Sequence, residues 1–403
     1  MKDKKYKIKI CRIATIPMFF VAHLMAQIEY LQNKGMEISI VSSLGEGSKN
    51  LERCKEIVYE TIEIPRSLNI VQDIKALIQL IIFFRRNQFD IVHSNTPKAG
   101  LLTSIATFIS KVPIRLHTFT GQPWVTLKGP LRFFTRLADK LICIINTKCY
   151  TDSRSQRGFL IKEKIVAPRK IDVIGYSSIA GVNLRRFDEQ ILNLNEKQEL
   201  RKKLGIIDND KVAVFIGRIS RDKGIYELET AFKKIIESGY NLHLLLVGPL
   251  DEECGGEKTI EIAEFIDNPK VSYVGLTQTP EIYLSIADFL CLPSYREGFG
   301  SVVIEAAAMR VPAIGTKING LVDAVSHSKT GVLIPPYDTE ALFEAIKDFL
   351  DHPELITRMG DAAQKRCKIL FDGEIINKLV FEEYKFLYKK YVQKTGVYNE
   401  NRI

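Results

Sequence analysis

The sequence predicts an α/β protein with two doubly wound, mostly parallel β-sheets. Short β-branched runs alternate with longer amphipathic stretches along the 403-residue chain, as they do in the strand–helix units of parallel sheets. A chain of this length is too long for a single core and most simply forms two domains. The alternation also falls into two series, separated by a polar, asparagine-rich stretch at 188–196. We therefore expect one Rossmann-like domain from each series.

The first series predicts an N-terminal domain, residues 1–187. The apolar run at 8–16 is interrupted by Arg12, which favours a first strand over a signal peptide. Apolar residues at helical spacing predict helices over Val21–Lys34 and Val71–Arg86. The predicted strands of this domain are Lys7–Ala14, Glu37–Ser42, Asp90–Ser94, Arg115–Phe119, Cys149–Asp152 and Asp172–Tyr176.

The second series predicts a C-terminal domain, residues 197–374, after a linker at 188–196. An amphipathic pattern over Ile375–Tyr391 then predicts a final helix, with a tail to 403, that crosses back to the N-terminal domain. Examples of the predicted helices inside the domain are Gly224–Ser238, Val302–Met309 and Thr339–Asp351. The predicted strands are Val212–Gly217, Leu242–Val247, Val271–Val274, Phe289–Leu292, Ala313–Gly315 and Val332–Ile334.

Composition narrows the function classes. The net charge of +9 favours polyanionic partners such as nucleotide phosphates or anionic lipids, while the lack of a basic stripe interleaved with aromatics argues against nucleic acid. Seven cysteines without C-x-x-C spacing indicate reduced thiols of a cytosolic protein. The longest apolar stretch, Ala76–Phe84, is too short to span a bilayer.

Asp208-Asn-Asp210 formally matches a metal-binding D-x-D motif, but its position before a strand indicates a turn.

Two glutamates flank a glycine-rich turn in the second series. The segment Tyr295-Arg-Glu-Gly-Phe-Gly-Ser-Val-Val-Ile-Glu305 follows one predicted strand and opens a predicted helix. Free backbone N–H groups and the helix dipole form an anion site at such a turn. Because Glu297 lies in the turn and Glu305 in the helix, the two can meet different ends of one ligand. Glutamates at this spacing are common by chance, but the intervening glycines favour a ligand with both phosphate and hydroxyl groups.

A basic glycine turn follows the first strand of the second series. In Gly217-Arg-Ile-Ser-Arg-Asp-Lys223, the glycine lets the backbone pass close to a ligand. Arg218 and Lys223 lie near one strand end, where two cations can neutralise a diphosphate and stabilise it as a leaving group. Taken alone, the cluster is better explained as a solvated basic turn. Beside the glutamate motif it favours a diphosphate site.

Together these motifs resemble the family 4 retaining glycosyltransferases, which have the two-domain GT-B architecture. Further landmarks at Asp90-Ile-Val-His93, Pro97-Lys-Ala-Gly100, Val173-Ile-Gly175 and Gly181-Val-Asn183 extend the resemblance over nearly the whole chain. Bacterial members with this layout commonly build capsule, lipopolysaccharide O-antigen or exopolysaccharide. The resemblance implies donor binding by Gly217, Arg218, Lys223, Glu297, Gly298, Phe299, Gly300, Ser301 and Glu305.

The resemblance also implies roles and a reaction. Arg218 and Lys223 would hold the diphosphate. Glu305 would bind the ribose hydroxyls. Glu297, a candidate catalytic residue, would bind hydroxyls of the transferred sugar. A hexose or N-acetylhexosamine would pass from a UDP-sugar to a lipid-linked oligosaccharide acceptor with retention at the anomeric carbon. The donor would lie in the C-terminal domain and the acceptor in the N-terminal domain, across a cleft. No cofactor and no essential metal ion is implied. The protein would be cytoplasmic, peripheral at the inner face of the plasma membrane.

The first domain departs from the family pattern in two places. Where many members carry a histidine near the donor sugar, this chain has Thr120, with His117 three residues earlier. His117 and Thr120 are therefore candidate catalytic residues, although a position in the core or at a strand end also explains His117. His93 is expected to end its strand near the cleft. The first strand–helix turn, 15–23, lacks paired glycines, which predicts a more apolar acceptor site.

Two helical segments of the first domain combine aromatic residues with arginines. They are Ile78–Arg86 and Pro130–Arg136, and such faces can rest on anionic membranes. An apolar face packed on the sheet, with arginines at its edge, explains the same pattern.

Two functional alternatives stay open. A nucleotide-sugar epimerase of the same architecture, such as a 2-epimerase, would need no acceptor, and the cations at Arg218 and Lys223 argue against it. A non-catalytic nucleotide-sugar-binding protein would need no turnover at all.

Overall fold

The chain forms two compact units, each with its own sheet. The first comprises the described residues up to Ala180 and from Gly373 onward, and the second runs from Gly181 to Asp372. The predicted linker, 188–196, therefore lies within the second unit. The computed structural model describes residues 7–54, 56–65, 69–250 and 258–393.

The first unit is built on a parallel sheet of seven described strands. They are β1 (Lys9–Ile13), β2 (Glu37–Ser42), β3 (Val58–Thr61), β4 (Ile91–Asn95), β5 (Ile114–Phe119), β6 (Lys148–Thr151) and β7 (Ile171–Asp172). Their order is β3-β2-β1-β4-β5-β6-β7, and every pair is parallel. All residues of β4 are buried, as expected for a strand covered on both faces. The strand order reverses between β1 and β4.

Helices pack on both faces of this sheet. Those between the strands are α1 (Pro17–Phe19), α2 (Met25–Asn33), α3 (Ser48–Glu52), α4 (Ile70–Asn87), α5 (Pro97–Ile109), α6 (Gly129–Ile145) and α7 (Arg154–Lys162). Alternate residues of β1 point to opposite faces. Ile10 packs with residues of α2, whereas Cys11 and Ile13 pack with residues of α4 and α5. The two-residue period of the strand thus divides its apolar side chains between two cores.

The second unit has a parallel sheet of six described strands. They are β8 (Lys211–Ile216), β9 (Leu242–Val247), β10 (Val271–Gly275), β11 (Phe289–Leu292), β12 (Ala313–Thr316) and β13 (Gly331–Ile334). The order is β10-β9-β8-β11-β12-β13, with parallel pairing throughout. Here the order reverses between β8 and β11, which are direct neighbours.

Helices precede, separate and follow the strands of the second unit. They are α8 (Leu194–Lys203), α9 (Ile225–Glu237), α10 (Lys258–Ile266), α11 (Pro280–Leu284), α12 (Ser301–Ala308), α13 (Leu321–Ala324), α14 (Thr339–Asp351) and α15 (Pro353–Leu370). Asn193 and Glu196 form a capping box: the Asn193 side chain accepts the N–H of Glu196 at 3.0 Å, and the Glu196 carboxylate accepts the N–H of Asn193 at 2.7 Å. The polar stretch predicted as a linker therefore contains a helix start.

A final helix, α16 (Gly373–Tyr388), returns to the first unit, which confirms the predicted crossing. Its Tyr384 is fully buried, and the phenol oxygen accepts a hydrogen bond from Arg12 Nη1 at 3.0 Å. The same hydroxyl lies 2.6 Å from His93 Nδ1, while His93 Nε2 lies 2.7 Å from the Thr118 hydroxyl. Burial, together with the charge of Arg12 and the proximity of His117, holds the pKa of His93 well below its usual range. Tyr384 thus joins the helix to two buried polar groups of the sheet.

Replacing Tyr384 by phenylalanine is expected to destabilise the protein by about 2 kcal/mol, because it leaves a guanidinium N–H and an imidazole nitrogen unpaired in the core. Urea unfolding followed by circular dichroism measures the effect as a lower midpoint. Tyr30→Phe is the matched control, since that ring is only half-buried. Equal midpoints for the two variants would contradict the role given to this hydroxyl.

Two strands of the first unit differ from the sequence prediction. The strand predicted over Asp172–Tyr176 is limited to β7, and residues 173–178 form a loop. The strand β3 was not predicted, because its exposed, polar sequence Val-Tyr-Glu-Thr lacks an apolar face. The predicted tail beyond residue 393 lies outside the described residues. Within the described ranges no helix is long and apolar enough to cross a membrane.

Candidate functional site

The candidate site lies at the topological switch point of the second unit. The strands β8 and β11 are neighbours there, and the chain leaves them in opposite directions along the sheet. Their carboxyl ends open a crevice where doubly wound sheets bind ligands. The basic turn at 217–224 follows β8, and the glutamate motif at 295–305 follows β11. The two motifs therefore meet at one edge of the sheet, although Lys223 and Glu297 are 74 residues apart in sequence.

The two turns approach each other through a glycine. Gly224 ends the short 3₁₀ helix Arg221–Lys223 with φ of +73° and starts α9. A Cβ at this position would lie 2.2 Å from the carbonyl oxygen of Pro293. Only glycine fits both this conformation and this spacing. The contact places Lys223 beside the turn that carries Glu297.

Lys223 and Glu297 form an ion pair at the centre of the site. The Lys223 ammonium donates to Glu297 Oε1 at 2.5 Å, and the Ser294 hydroxyl donates to the same oxygen at 2.9 Å. The lysine and glutamate side chains are only 18% and 12% exposed, so solvent screens the pair weakly. Thr316 at the end of β12 donates in turn to the carbonyl of Ser294. The sequence predicted both residues, and the fold joins them directly.

Asp222 organises the cations around this pair. It accepts from the Ser220 hydroxyl at 2.6 Å, from Arg296 Nη2 at 3.1 Å and from Arg218 Nη2 at 3.4 Å. Burial acts to raise the pKa of Asp222, but the Ser220 hydrogen bond and the charges of Arg218, Arg296 and Lys223 outweigh it and lower the pKa. A carboxylate held ionised here fixes two guanidinium groups beside the lysine. The site therefore offers three cations to an anionic ligand.

The glycine-rich turn brings backbone N–H groups to the same place. Gly300 has φ of +82° and precedes α12, and a Cβ there would lie 2.5 Å from Leu321 Cδ2. Phe299 is buried and its ring centroid lies 5.3 Å from that of Phe371, which anchors the turn in the core. Gly298 is buried, and the half-buried Ser301 is the first residue of α12. The open helix terminus thus faces the crevice with its N–H groups.

Glu305 lies in α12, one helical turn beyond Ser301 and half-buried. Loss of solvation raises the pKa of its carboxyl to about 7; the charge of Arg186 acts against this and that of Glu281 adds to it. Arg186 donates to Glu281 Oε2 through Nε at 3.0 Å and Nη2 at 2.9 Å. Glu305 therefore has a different electrostatic environment from Glu297. The Glu305 carboxyl has a pKa near neutral pH, whereas the Glu297 carboxylate is paired with the Lys223 ammonium.

The candidate residues of the first unit lie within strand β5 and directly after it. His117, in β5, is buried, and its Nδ1 lies 2.9 Å from the Ser94 hydroxyl. A Cβ on Gly100 of α5 would lie 2.3 Å from His117 Cε1, so the ring packs closely against that helix. Burial lowers the pKa of His117 to about 3, which keeps it neutral. Thr120 is half-buried in the loop after β5, and the catalytic role predicted for both residues stays a prediction.

Sequence reasoning missed four residues that the fold adds to the site: Asp222, Arg296, Arg186 and Glu281. Asp222 and Arg296 lie inside the two motifs described in the sequence analysis. The sequence signal for Asp222 was an acidic residue between two cations, and that for Arg296 was a cation next to an acidic residue. Arg186 and Glu281 are 95 residues apart in sequence. No spacing rule joins them, so only the fold identifies that pair.

Two Rossmann-like sheets, with three cations and two glutamates near one switch point, are the features of a protein of the GT-B class. The Anabaena protein HepE, solved in complex with UDP-glucose, has this fold. It superposes with a TM-score of 0.78 over 94% of this chain and 100% of that chain, at 19% identity.

Sequence comparison then gives the family. Residues 196–366 match the family described as Glycosyl transferases group 1, and residues 9–151 match the Glycosyl transferase 4-like family. The capsular polysaccharide biosynthesis glycosyltransferase CapM of Staphylococcus aureus is 31% identical over 398 residues, 98% of this chain and 99% of that protein. The chain belongs to this glycosyltransferase family. The predicted membership, a GT-B glycosyltransferase of the surface-polysaccharide type, is confirmed.

A second relative carries a more detailed name. The UDP-Gal:alpha-D-GlcNAc-diphosphoundecaprenol alpha-1,3-galactosyltransferase of Escherichia coli is 26% identical over 354 residues. That similarity covers 86% of this chain and 89% of the relative. Its name states both a UDP-sugar donor and a lipid-diphosphate acceptor for that enzyme.

Proposed function

We propose that the protein is a retaining glycosyltransferase that moves a hexose or N-acetylhexosamine from a UDP-sugar to a lipid-linked saccharide. The reaction would serve surface-polysaccharide synthesis at the cytoplasmic face of the membrane. One observation carries the proposal: Arg218, Lys223 and Arg296 converge on the carboxyl ends of β8 and β11, beside Glu297. A nucleotide diphosphate is the ligand that such a group of cations and helix N–H groups fits.

The cations would act most strongly when the sugar leaves. The bond from the anomeric carbon to the diphosphate oxygen breaks, and negative charge builds on the departing phosphate. Arg218 and Lys223 are fixed before the reaction by Asp222 and Glu297, so they need little reorganisation to stabilise that charge. The departing phosphate oxygen would take the proton of the acceptor hydroxyl, which attacks from the same face. Retention of configuration follows from this front-side geometry.

The two glutamates would position opposite ends of the donor. Glu297, in the turn, would accept hydrogen bonds from hydroxyls of the transferred sugar, and Glu305, in α12, from the ribose hydroxyls. Because Lys223 already donates to Oε1 of Glu297, the diphosphate and the sugar would be held by one connected pair. The names of the relatives support a UDP-sugar donor and a lipid-diphosphate acceptor.

A donor screen tests the proposal. The purified protein is incubated with a panel of UDP-sugars, with and without lipid-linked acceptors beginning with N-acetylglucosaminyl diphosphoundecaprenol. Transfer, or slow release of free sugar with retained anomeric configuration by NMR, is the expected result. Inversion at C2 of the donor sugar without transfer would identify an epimerase. Tight binding of UDP-sugars without any turnover would identify a binding protein.

The pKa of Glu305 gives a pH-dependent prediction for nucleotide binding. Above pH 7 the Glu305 carboxylate is ionised and would accept hydrogen bonds from the ribose hydroxyls. Below pH 7 the carboxyl is neutral and a weaker hydrogen-bond acceptor. The dissociation constant for UDP is therefore expected to rise about fivefold as pH falls from 8 to 6. Isothermal calorimetry measures it. Glu305→Gln is the control, because the phosphate of UDP titrates in both proteins and only the difference between them reports on Glu305.

An apolar and basic surface of the first unit supports the proposed membrane contact. Ile74, Ile78 and Ile82 recur every fourth residue along α4 and are each more than half exposed. On α6, Phe133 and Phe134 are likewise more than half exposed. The helix α5 packs against both α4 and α6, and the exposed cations of this surface are Arg85, Arg86 and Arg132. Large apolar side chains beside arginines fit the boundary of an anionic bilayer.

Vesicle cosedimentation tests this contact. The protein is expected to bind vesicles that contain phosphatidylglycerol and to lose most of that binding in the double variant Phe133→Ser and Phe134→Ser. Phe386→Ser, which alters an exposed aromatic residue of α16, is the matched control. Equal binding by the wild type and the double variant would refute a membrane role for α6.

A further inference from the structure

A second cluster of buried polar side chains lies at the carboxyl edge of the first unit's sheet. Gln122 follows β5, Asp152 follows β6 directly, and Gln156 lies in the first turn of α7. The strands β5 and β6 are parallel neighbours, so the loops that follow them meet at the same edge. Open α/β sheets bind their ligands at that edge.

Gln156 joins these loops. Its Oε1 accepts the backbone N–H of Asp152 at 3.2 Å, and its Nε2 donates to Gln122 Oε1, also at 3.2 Å. From the loop after β7, the N–H of Ser178 donates to the carbonyl of Asp152 at 2.6 Å. Ser178 has φ of +78°, a conformation that a non-glycine residue adopts only when its surroundings impose it. Three loops therefore fix Asp152 and Gln122 in place.

Among the described residues, two polar atoms of the cluster have no hydrogen-bond partner. Asp152 Oδ1 and Gln122 Nε2 are both buried without a hydrogen bond, and their residues are only 7% and 3% exposed. An unpaired buried polar atom is costly, and its presence in a fixed position indicates a missing partner. Burial also raises the pKa of Asp152 to about 8, so near neutral pH its carboxyl is protonated and can both donate and accept.

We propose that Asp152 and Gln122 bind hydroxyl groups of the acceptor saccharide. A neutral carboxyl and an amide N–H complement sugar hydroxyls, each of which donates one hydrogen bond and accepts others. A phosphate would call for a cationic donor, and neither side chain supplies one. The inference rests on the proposed transferase function and assigns part of its acceptor specificity to this cluster.

Steady-state kinetics test the assignment with the lipid-linked acceptor that the wild-type protein selects from the panel above. Asp152→Leu, which keeps the size and removes the hydrogen bonds, is expected to raise the acceptor KM about tenfold, with little change in kcat. Asp152→Asn keeps one donor and one acceptor, so its acceptor KM is expected to stay within about threefold of the wild type. Gln122→Met is expected to behave like Asp152→Leu.

The control is Asp139→Asn. Asp139 is also buried in the first unit, but it accepts a hydrogen bond from Trp124 Nε1 at 2.7 Å. The acceptor KM of the Asp139→Asn variant is therefore expected to equal that of the wild type. Transfer with normal acceptor KM in the folded Asp152→Leu and Gln122→Met variants would overturn the assignment and leave the proposed function intact. If Asp152→Leu fails to fold, Gln122→Met decides the question. Absence of transfer by the wild-type protein from every donor would overturn both.

Discussion

Replacing Glu297 by glutamine is expected to lower kcat for sugar transfer by about a hundredfold or more, the loss that follows removal of a charged group positioned for the transition state. The glutamine keeps the shape of the side chain but loses the charge that holds Lys223. In the proposed function, the same charge orients the sugar hydroxyls. The dissociation constant for UDP is expected to change by no more than about threefold, because UDP lacks the sugar that we propose Glu297 to contact. Transfer assays and calorimetry measure the two quantities.

Glu340→Gln is the matched control. Glu340 also pairs with a lysine, Lys234, but at an exposed position on α14, where an ion pair contributes little. Its kcat is expected to equal that of the wild type. A Glu297→Gln protein with full transfer activity would remove Glu297 from the site. A large loss of UDP binding would instead give Glu297 a role in nucleotide recognition.

Replacing Lys223 by methionine is expected to weaken UDP binding by about ten- to a hundredfold, the range for a hydrogen bond to a charged group. The substitution removes a cation beside the diphosphate and leaves Glu297 unpaired at a position only 12% exposed. The unpaired carboxylate then repels the phosphates. Both effects reduce affinity, so the change exceeds that of an exposed lysine. Calorimetry with UDP measures it.

Lys347→Met controls for the loss of one positive charge. Lys347 pairs with Asp351 at an exposed position on α14, and its removal is expected to leave the dissociation constant unchanged. Combining Lys223→Met with Glu297→Gln completes a double-mutant cycle. Strict additivity in UDP affinity would show that the two side chains act independently and that their ion pair has no role in nucleotide binding.

Much of the candidate site could be predicted from short segments of sequence. The turn after β8 and the turn after β11 each contain their glycines, cations and carboxylates within about a dozen residues, because a strand–turn–helix unit places its own loop residues at one end of the strand. Gly224 and Gly300 were visible as glycines at helix starts. The requirement for glycine at each position is visible only in the fold. A Cβ atom at Gly224 would clash with Pro293, and a Cβ atom at Gly300 would clash with Leu321.

The boundaries of the units could not be predicted in the same way. Composition placed the linker at 188–196, where polar residues cluster, but polar residues also cap helices, and Asn193 caps α8. The real division falls at Ala180 and again at Gly373. It depends on which sheet each segment packs against, a property of distant contacts and not of local composition.

The sequence by itself determined the fold class, the two series of strands and the two motifs of the candidate site, since these depend on local periodicity and on residues near one another in the chain. Only the tertiary structure decided that Lys223 pairs with Glu297, that Arg186 and Glu281 lie near Glu305, and that the two orphan atoms of Asp152 and Gln122 share one sheet edge. The physical reason is topological. Parallel strands bring their carboxyl ends together in an order set by the sheet, and burial then fixes the charge and hydrogen bonding of whatever side chains meet there.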